Sequence, residues 1–136
     1  MARKTRLELA GPLRVGLVAN AQGYFPNSER ILDEADRTRT RWLRESFEWG
    51  EIEPEDDAWA WRRYDELLIA AAQRGIRILP LLIGSPPWAG LEWNEIPADP
   101  TEYAEYTAQV VARYGPGGSF WEAHPEIAAF APQHFE

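Results

Sequence analysis

The chain has 136 residues, 45% of them hydrophobic, enough to bury one core and no more. Its formal net charge of −8 works against nucleic acid or an anionic membrane surface as a partner. The lack of cysteine removes disulfides and thiolate chemistry, and His124 and His134 alone do not make a zinc cluster, so no metal or other cofactor is expected. The basic start, Met1-Ala-Arg-Lys-Thr-Arg6, runs into an apolar stretch broken by Gly11, Pro12 and Arg14. That is too short and interrupted for a signal peptide or a membrane span, so a soluble cytoplasmic protein is the default expectation.

After an N-terminal extension over 1–12, Leu13 to Ala19 reads as a short buried strand, followed by a turn-rich stretch from Asn20 to Asn27. A helix is predicted over Ser28 to Arg37, with Ile31, Leu32 and Ala35 inward, and a second strand over Arg41 to Phe47. Asp56-Asp57 offers a cap for the next helix, in which Trp61, Tyr64, Leu67, Leu68 and Ala71 fall at helical spacing before the stop at Gly75. Ile76 to Ile83 is almost wholly apolar, as a parallel strand covered on both faces should be. Asp99-Pro100-Thr101-Glu102 combines an N-cap, a proline at the first helical position and a glutamate placed to answer the cap. The helix it opens carries Tyr103, Tyr106, Val110, Val111 and Tyr114 and stops at Gly115. An irregular excursion over Pro116 to Pro125 leads to a last apolar stretch and what reads as the start of a fourth strand at His134-Phe135-Glu136.

Three successive βα units imply a parallel sheet with right-handed crossovers. No G-x-G-x-x-G turn follows the first strand, which argues against a doubly wound nucleotide-binding sheet. Long loops bearing aromatics and carboxylates after each strand fit a β/α barrel better, and the chain is about half the usual length of one. The expected fold is therefore α/β: a partial (β/α)8 TIM barrel of about three βα units plus the start of strand 4, spanning 13–136.

Three segments carry a likeness to a known class. They are Arg41-Trp-Leu-Arg-Glu-Ser-Phe-Glu-Trp-Gly-Glu-Ile-Glu-Pro54 with Trp59-Ala-Trp61 and Tyr64-Asp65; Gly75 through Ser85-Pro-Pro-Trp88; and Val110-Val-Ala-Arg-Tyr-Gly115. Together they resemble the first half of the clan A glycoside hydrolases, the (β/α)8 enzymes that include cellulases, β-xylosidases and β-galactosidases. The resemblance implies a parent enzyme that hydrolyses O-glycosidic bonds with retention. It also implies that the acid/base glutamate, in an Asn-Glu motif on strand 4, and the nucleophile on strand 7 both lie past Glu136. A retaining mechanism needs two carboxyl groups about 5–5.5 Å apart across the scissile bond. No catalytic residue is therefore assigned within this chain, and the fragment is expected to be inactive alone. Trp93-Asn94-Glu95-Ile96-Pro97 looks like the acid/base motif with one residue inserted, but its mid-loop setting marks it as coincidence.

The resemblance places Arg44 at the second strand, where a guanidinium fork would hold the nucleophile carboxylate; the plain alternative is a surface pair with Glu45 or Glu48. Trp88, closing the third strand after Ser85-Pro86-Pro87, is a candidate platform for the apolar face of a pyranose, and Trp49 is a second, unless it packs under its loop. Asn20, Gln22 and Tyr24 follow strand 1 and can hydrogen-bond hydroxyls. Glu48, Glu51 and Glu53 read as a solvated loop, Trp59, Trp61 and Tyr64 as core, and Gly115-Pro-Gly-Gly-Ser119 as a turn. The leading reading is a glycosidase fragment that meets carbohydrate through its parent. The alternatives are a glycan-binding or self-associating half-barrel, joined through open sheet edges, and a complete small α/β domain.

Overall fold

A computed structural model describes residues 16–18, 28–89, 92–95, 97 and 99–136. In chain order its elements are β1 (Leu17–Val18), α1 (Ser28–Arg37), β2 (Trp42–Glu48), α2 (Trp49–Ile52), α3 (Arg62–Gln73), β3 (Arg77–Ile83), α4 (Pro100–Tyr114) and α5 (Ser119–Ala123). 3-10 helices occupy Pro87–Ala89, one turn, and Pro125–Phe130, about two turns. The three strands form one parallel sheet in the order β1-β2-β3, as consecutive βα units with right-handed crossovers should.

Strand alternation sorts the two faces of the sheet. On β2, Leu43, Glu45 and Phe47 are buried while Trp42, Arg44, Ser46 and Glu48 are half-buried. Phe47 meets Tyr64 of α3 at 4.7 Å and Tyr114 of α4 at 5.7 Å between ring centroids, so the buried face is the one the helices cover. The other face carries Val18, Arg44, Leu79 and Leu81 and is only partly shielded, Val18 being largely exposed.

Pro80 lies in the middle of β3, where a missing N–H normally breaks a ladder. The Arg77 N–H bonds to Arg41 O toward β2, whereas Leu82 N–H donates to Glu136 O (2.7 Å) and Glu136 N–H to Pro80 O (2.9 Å). Even-numbered residues of β3 thus turn their peptide groups away from β2. Proline's lost donor falls on the outer edge, where Glu136 asks only for its carbonyl.

Tyrosine hydroxyls pin the helices to the strand ends. Tyr106 of α4 donates to Phe47 O (2.6 Å), Tyr103 to Leu82 O (3.0 Å), and Tyr64 of α3 accepts from Glu48 N–H (3.0 Å). Burial pushes the Tyr64 and Tyr106 phenols well above their ordinary range, so they stay neutral donors. Helices α3 and α4 are clamped by Arg113, whose guanidinium grips Asp65 at 2.5 and 3.1 Å while the Tyr114 hydroxyl donates to the same carboxylate at 2.7 Å. Arg74 ties α3 to Glu29 and Asp33 of α1.

The helix opened by Asp99 runs Pro100–Tyr114 as its signals require, with the Asp99 carboxylate accepting from Thr101 N–H (2.9 Å). Three expectations need correction. The helix assigned a cap at Asp56-Asp57 begins only at Arg62, because Glu53 captures Asp57 N–H (3.0 Å) and folds that stretch into a turn, with Asp57 at φ 60°. A short helix, α2, fills what read as loop, and α5 forms inside the supposed irregular excursion. Pro125–Phe130 winds as a 3-10 helix; beyond it Glu136, where the start of a fourth strand is expected, exchanges both backbone hydrogen bonds with β3. Of the expected first strand, Leu17–Val18 is observed, while 13–15 and 19 lie outside the described residues.

Candidate functional site

Parallel strands place their ligand-binding groups at their carboxyl ends. Here those ends are Glu48, which leads directly into α2, and Ile83, followed by Gly84-Ser85-Pro86-Pro87. Between them lies a cavity of about 730 Å³ lined by Glu48, Glu51, Ser85, Glu92, Trp93 and Glu95, among others. Trp93 is 52% exposed. Its indole N–H donates to Glu48 Oε2 at 3.2 Å, and its ring edge lies over Gly84. Gly84 has φ +85°, and a Cβ built there would sit 2.8 Å from the indole nitrogen, so only glycine allows both this turn and this approach. The loop is further held by the Ser85 hydroxyl donating to Glu95 O (2.6 Å) and by Glu95 Oε2 accepting from Glu92 N–H (3.0 Å). Trp93 also walls a second cavity of about 420 Å³ against Leu82, Pro97 and Tyr103.

The candidates named from sequence are distributed differently from expectation. Arg44 lies on the partly shielded sheet face and forms a bidentate pair with Glu136, Nε to Oε2 at 2.7 Å and Nη2 to Oε1 at 3.0 Å. The fork raises the guanidinium above its ordinary value and holds the Glu136 carboxyl below the usual carboxylate range. Neither Glu45 nor Glu48 is the partner. Arg44 lines a separate cavity of about 500 Å³ with Leu17, Val18, Trp42, Leu79 and His134, which shares none of the described residues with the strand-end cavity.

Trp49 is fully buried. Its indole N–H donates to Glu53 Oε2 at 2.7 Å, and its ring is stacked on Tyr106 and met edge-on by Trp88 and Tyr103. As placed it has no face to offer a ligand; it packs under the loop, the alternative named for it. Trp88 is half-buried against Trp49 at 5.7 Å and donates from its indole to Glu53 O (2.8 Å). Asn20, Gln22 and Tyr24 lie outside the described residues.

The glutamates after β2 are less solvated than their sequence implies. Glu53 is buried and receives both Trp49 and Asp57 N–H, and Glu51 accepts from Arg63 (2.8 Å) and the Tyr64 hydroxyl (3.0 Å). Glu53, Asp56 and Asp57 bring carboxylate oxygens within 4.8 Å of one another, but both Glu53 oxygens already hold the α2 turn. Trp93 and Glu48 are the cavity residues that sequence reasoning missed. They are 45 positions apart, and the one local signal, the near-match of Trp93-Asn94-Glu95-Ile96-Pro97 to a strand-4 motif, points to a different role.

No family model and no curated protein matches this sequence. The fold is similar to solved glycoside hydrolases. Virulence factor SghA, solved with its substrate analog salicin, aligns at TM-score 0.51 and 21% identity over 66% of this chain and 21% of its own. A β-glucosidase from Exiguobacterium marinum gives 0.55 and 15% identity over 76% of this chain and 22% of its own. The Pseudomonas stutzeri endoglucanase Cel5A gives 0.56 and 14% over 89% and 39%. At these identities the likeness speaks for the fold, and the chain spans well under half of each structure. Among the described residues no helix is long and apolar enough to cross a membrane.

Proposed function

We propose that the chain supplies the first βα units of a retaining glycosidase barrel and contributes to its glycan-binding end. The observation that carries this reading is the strand-end cavity. A half-exposed indole is fixed there over the carboxyl ends of two parallel strands, with carboxylates at its edge, in a fold similar to several glycoside hydrolases. An indole face packs against the C–H face of a pyranose while carboxylates accept from its hydroxyls. In this reading the acid/base and nucleophile glutamates lie outside residues 1–136, and hydrolysis of O-glycosidic bonds belongs to a whole barrel. Arg44, paired with Glu136 on the partly shielded sheet face, positions a carboxylate there, and Trp88 packs against the buried Trp49 and holds the Glu53 carbonyl.

The test is a titration of the 136-residue chain with a neutral cello-oligosaccharide, followed by tryptophan fluorescence, alongside an aryl-glycoside hydrolysis assay. Saturable quenching that is lost in Trp93→Ala, with no hydrolysis, is expected. Absence of any binding, or robust turnover by the pure chain, overturns the reading. Val18, largely exposed beside the Arg44 cavity at the open edge of β1, favours a second reading, self-association along that edge. A concentration-independent monomer in sedimentation experiments would refute it.

A further inference from the structure

The strand-end cavity has a definite electrostatic character as well as a shape. Trp93 supplies its flat wall, and Glu48, Glu92 and Glu95 project around it. Arg63 is committed to Glu51, and among the described residues no ion pair involves Glu48, Glu92 or Glu95. The chain as a whole carries −8, and among the described residues no Lys or Arg lines the cleft, so its lining carries negative charge. An anionic sugar entering it would meet like charge. A protonated amine meets the indole face, the strongest aromatic partner for a cation, and carboxylates able to accept charge-assisted hydrogen bonds. Glu48 already accepts from the indole N–H on one oxygen, which fixes the carboxylate beside the ring rather than leaving it to swing.

We propose that this cleft selects glycans carrying a protonated amine, the amino sugars, over uronic acids. The inference rests on the glycan reading above and adds the substrate class. It makes Trp93 the platform, and Glu48 and Glu95 the specificity-determining acceptors.

The experiment is isothermal titration calorimetry on the 136-residue chain near pH 6 at low ionic strength. Three probes of equal length are compared: a glucosamine trimer, an N-acetylglucosamine trimer and a galacturonic acid trimer. The glucosamine trimer is expected to bind about tenfold tighter than its neutral counterpart, with the preference narrowing to about twofold in roughly 0.5 M NaCl, and the uronate trimer is expected not to bind. Glu48→Gln and Glu95→Gln should each narrow the preference, lowering affinity for the glucosamine trimer by a clearly larger factor than for the neutral trimer, and Trp93→Ala should weaken both. Glu34→Gln, on exposed α1, changes net charge equally and should leave the preference intact. Equal affinities for the cationic and neutral trimers, uronate binding as tight as glucosamine, or a Glu34→Gln effect matching Glu95→Gln each overturn the inference. Neutral binding without preference overturns this inference alone, whereas binding of no sugar overturns the glycan reading as well.

Discussion

Replacing Trp49 by Phe separates a structural tryptophan from a ligand platform. The ring at 49 is fully buried, and its N–H is one of two donors to the Glu53 carboxylate, itself 5% exposed. Phe keeps an aromatic ring against Tyr106 and Trp88 but removes that donor. Losing a hydrogen bond to a buried charged group costs about 1.5–3 kcal/mol. The missing part of the indole leaves roughly 40 Å³, worth about 1 kcal/mol at the usual cavity coefficient. The expected loss is therefore about 2.5–4 kcal/mol, read from urea denaturation followed by far-UV circular dichroism at neutral pH. Glu53→Gln completes a double-mutant cycle, because the amide turns an N–H₂ group toward one of two donors; a coupling of about 1–2 kcal/mol is expected. Glycan affinity of the folded Trp49→Phe variant should be unchanged. A stability loss below about 1 kcal/mol, or a coupling within about 0.3 kcal/mol of zero, would refute the account of Trp49 as the anchor of the α2 turn.

The Arg44–Glu136 fork makes a pH prediction. Since the Glu136 carboxyl is depressed in the folded chain, the stability it contributes is complete above its unfolded value, about 4.3, and disappears as pH falls through the lower folded value. Arg44→Met should return the Glu136 titration, followed by carboxyl NMR, toward that ordinary value and speed exchange of the Leu82 amide, which donates to Glu136 O. An unchanged titration would remove the pair from the account. Gly84→Ala combines strain at φ +85° with a Cβ 2.8 Å from the Trp93 indole nitrogen. It should cost about 1–3 kcal/mol, shift tryptophan emission to the red and weaken glycan binding. Binding at full strength would mean that Trp93 is not held as described.

Local signals were decisive wherever a few neighbouring residues set the backbone. Asp99, Pro100 and Gly115 bound α4 to within its observed limits, and the apolar run of β3 announced a covered parallel strand. Tyr64, Tyr106, Val110 and Tyr114 were legible as core from their spacing alone. The start of α3 was misread because its apparent cap, Asp57, gives its N–H to Glu53 instead, a bond that depends on Trp49 holding Glu53 in place. Which face a residue shows also escaped the sequence. The same residue type is buried at position 49 and half-exposed at 93, and the difference lies in what packs against each. Trp49 has Tyr106 brought over it by α4, while Trp93 rests on Gly84 and opens to solvent.

The sequence by itself determined the order of βα units, the termini of α1 and α4 and much of the core stripe, because periodicity and caps act within a few residues. Only the tertiary structure decided that Arg44 meets Glu136 across 92 positions and that Trp93 meets Glu48 across 45. Such contacts follow from how the strands register and where their loops return, and no short window of sequence encodes that.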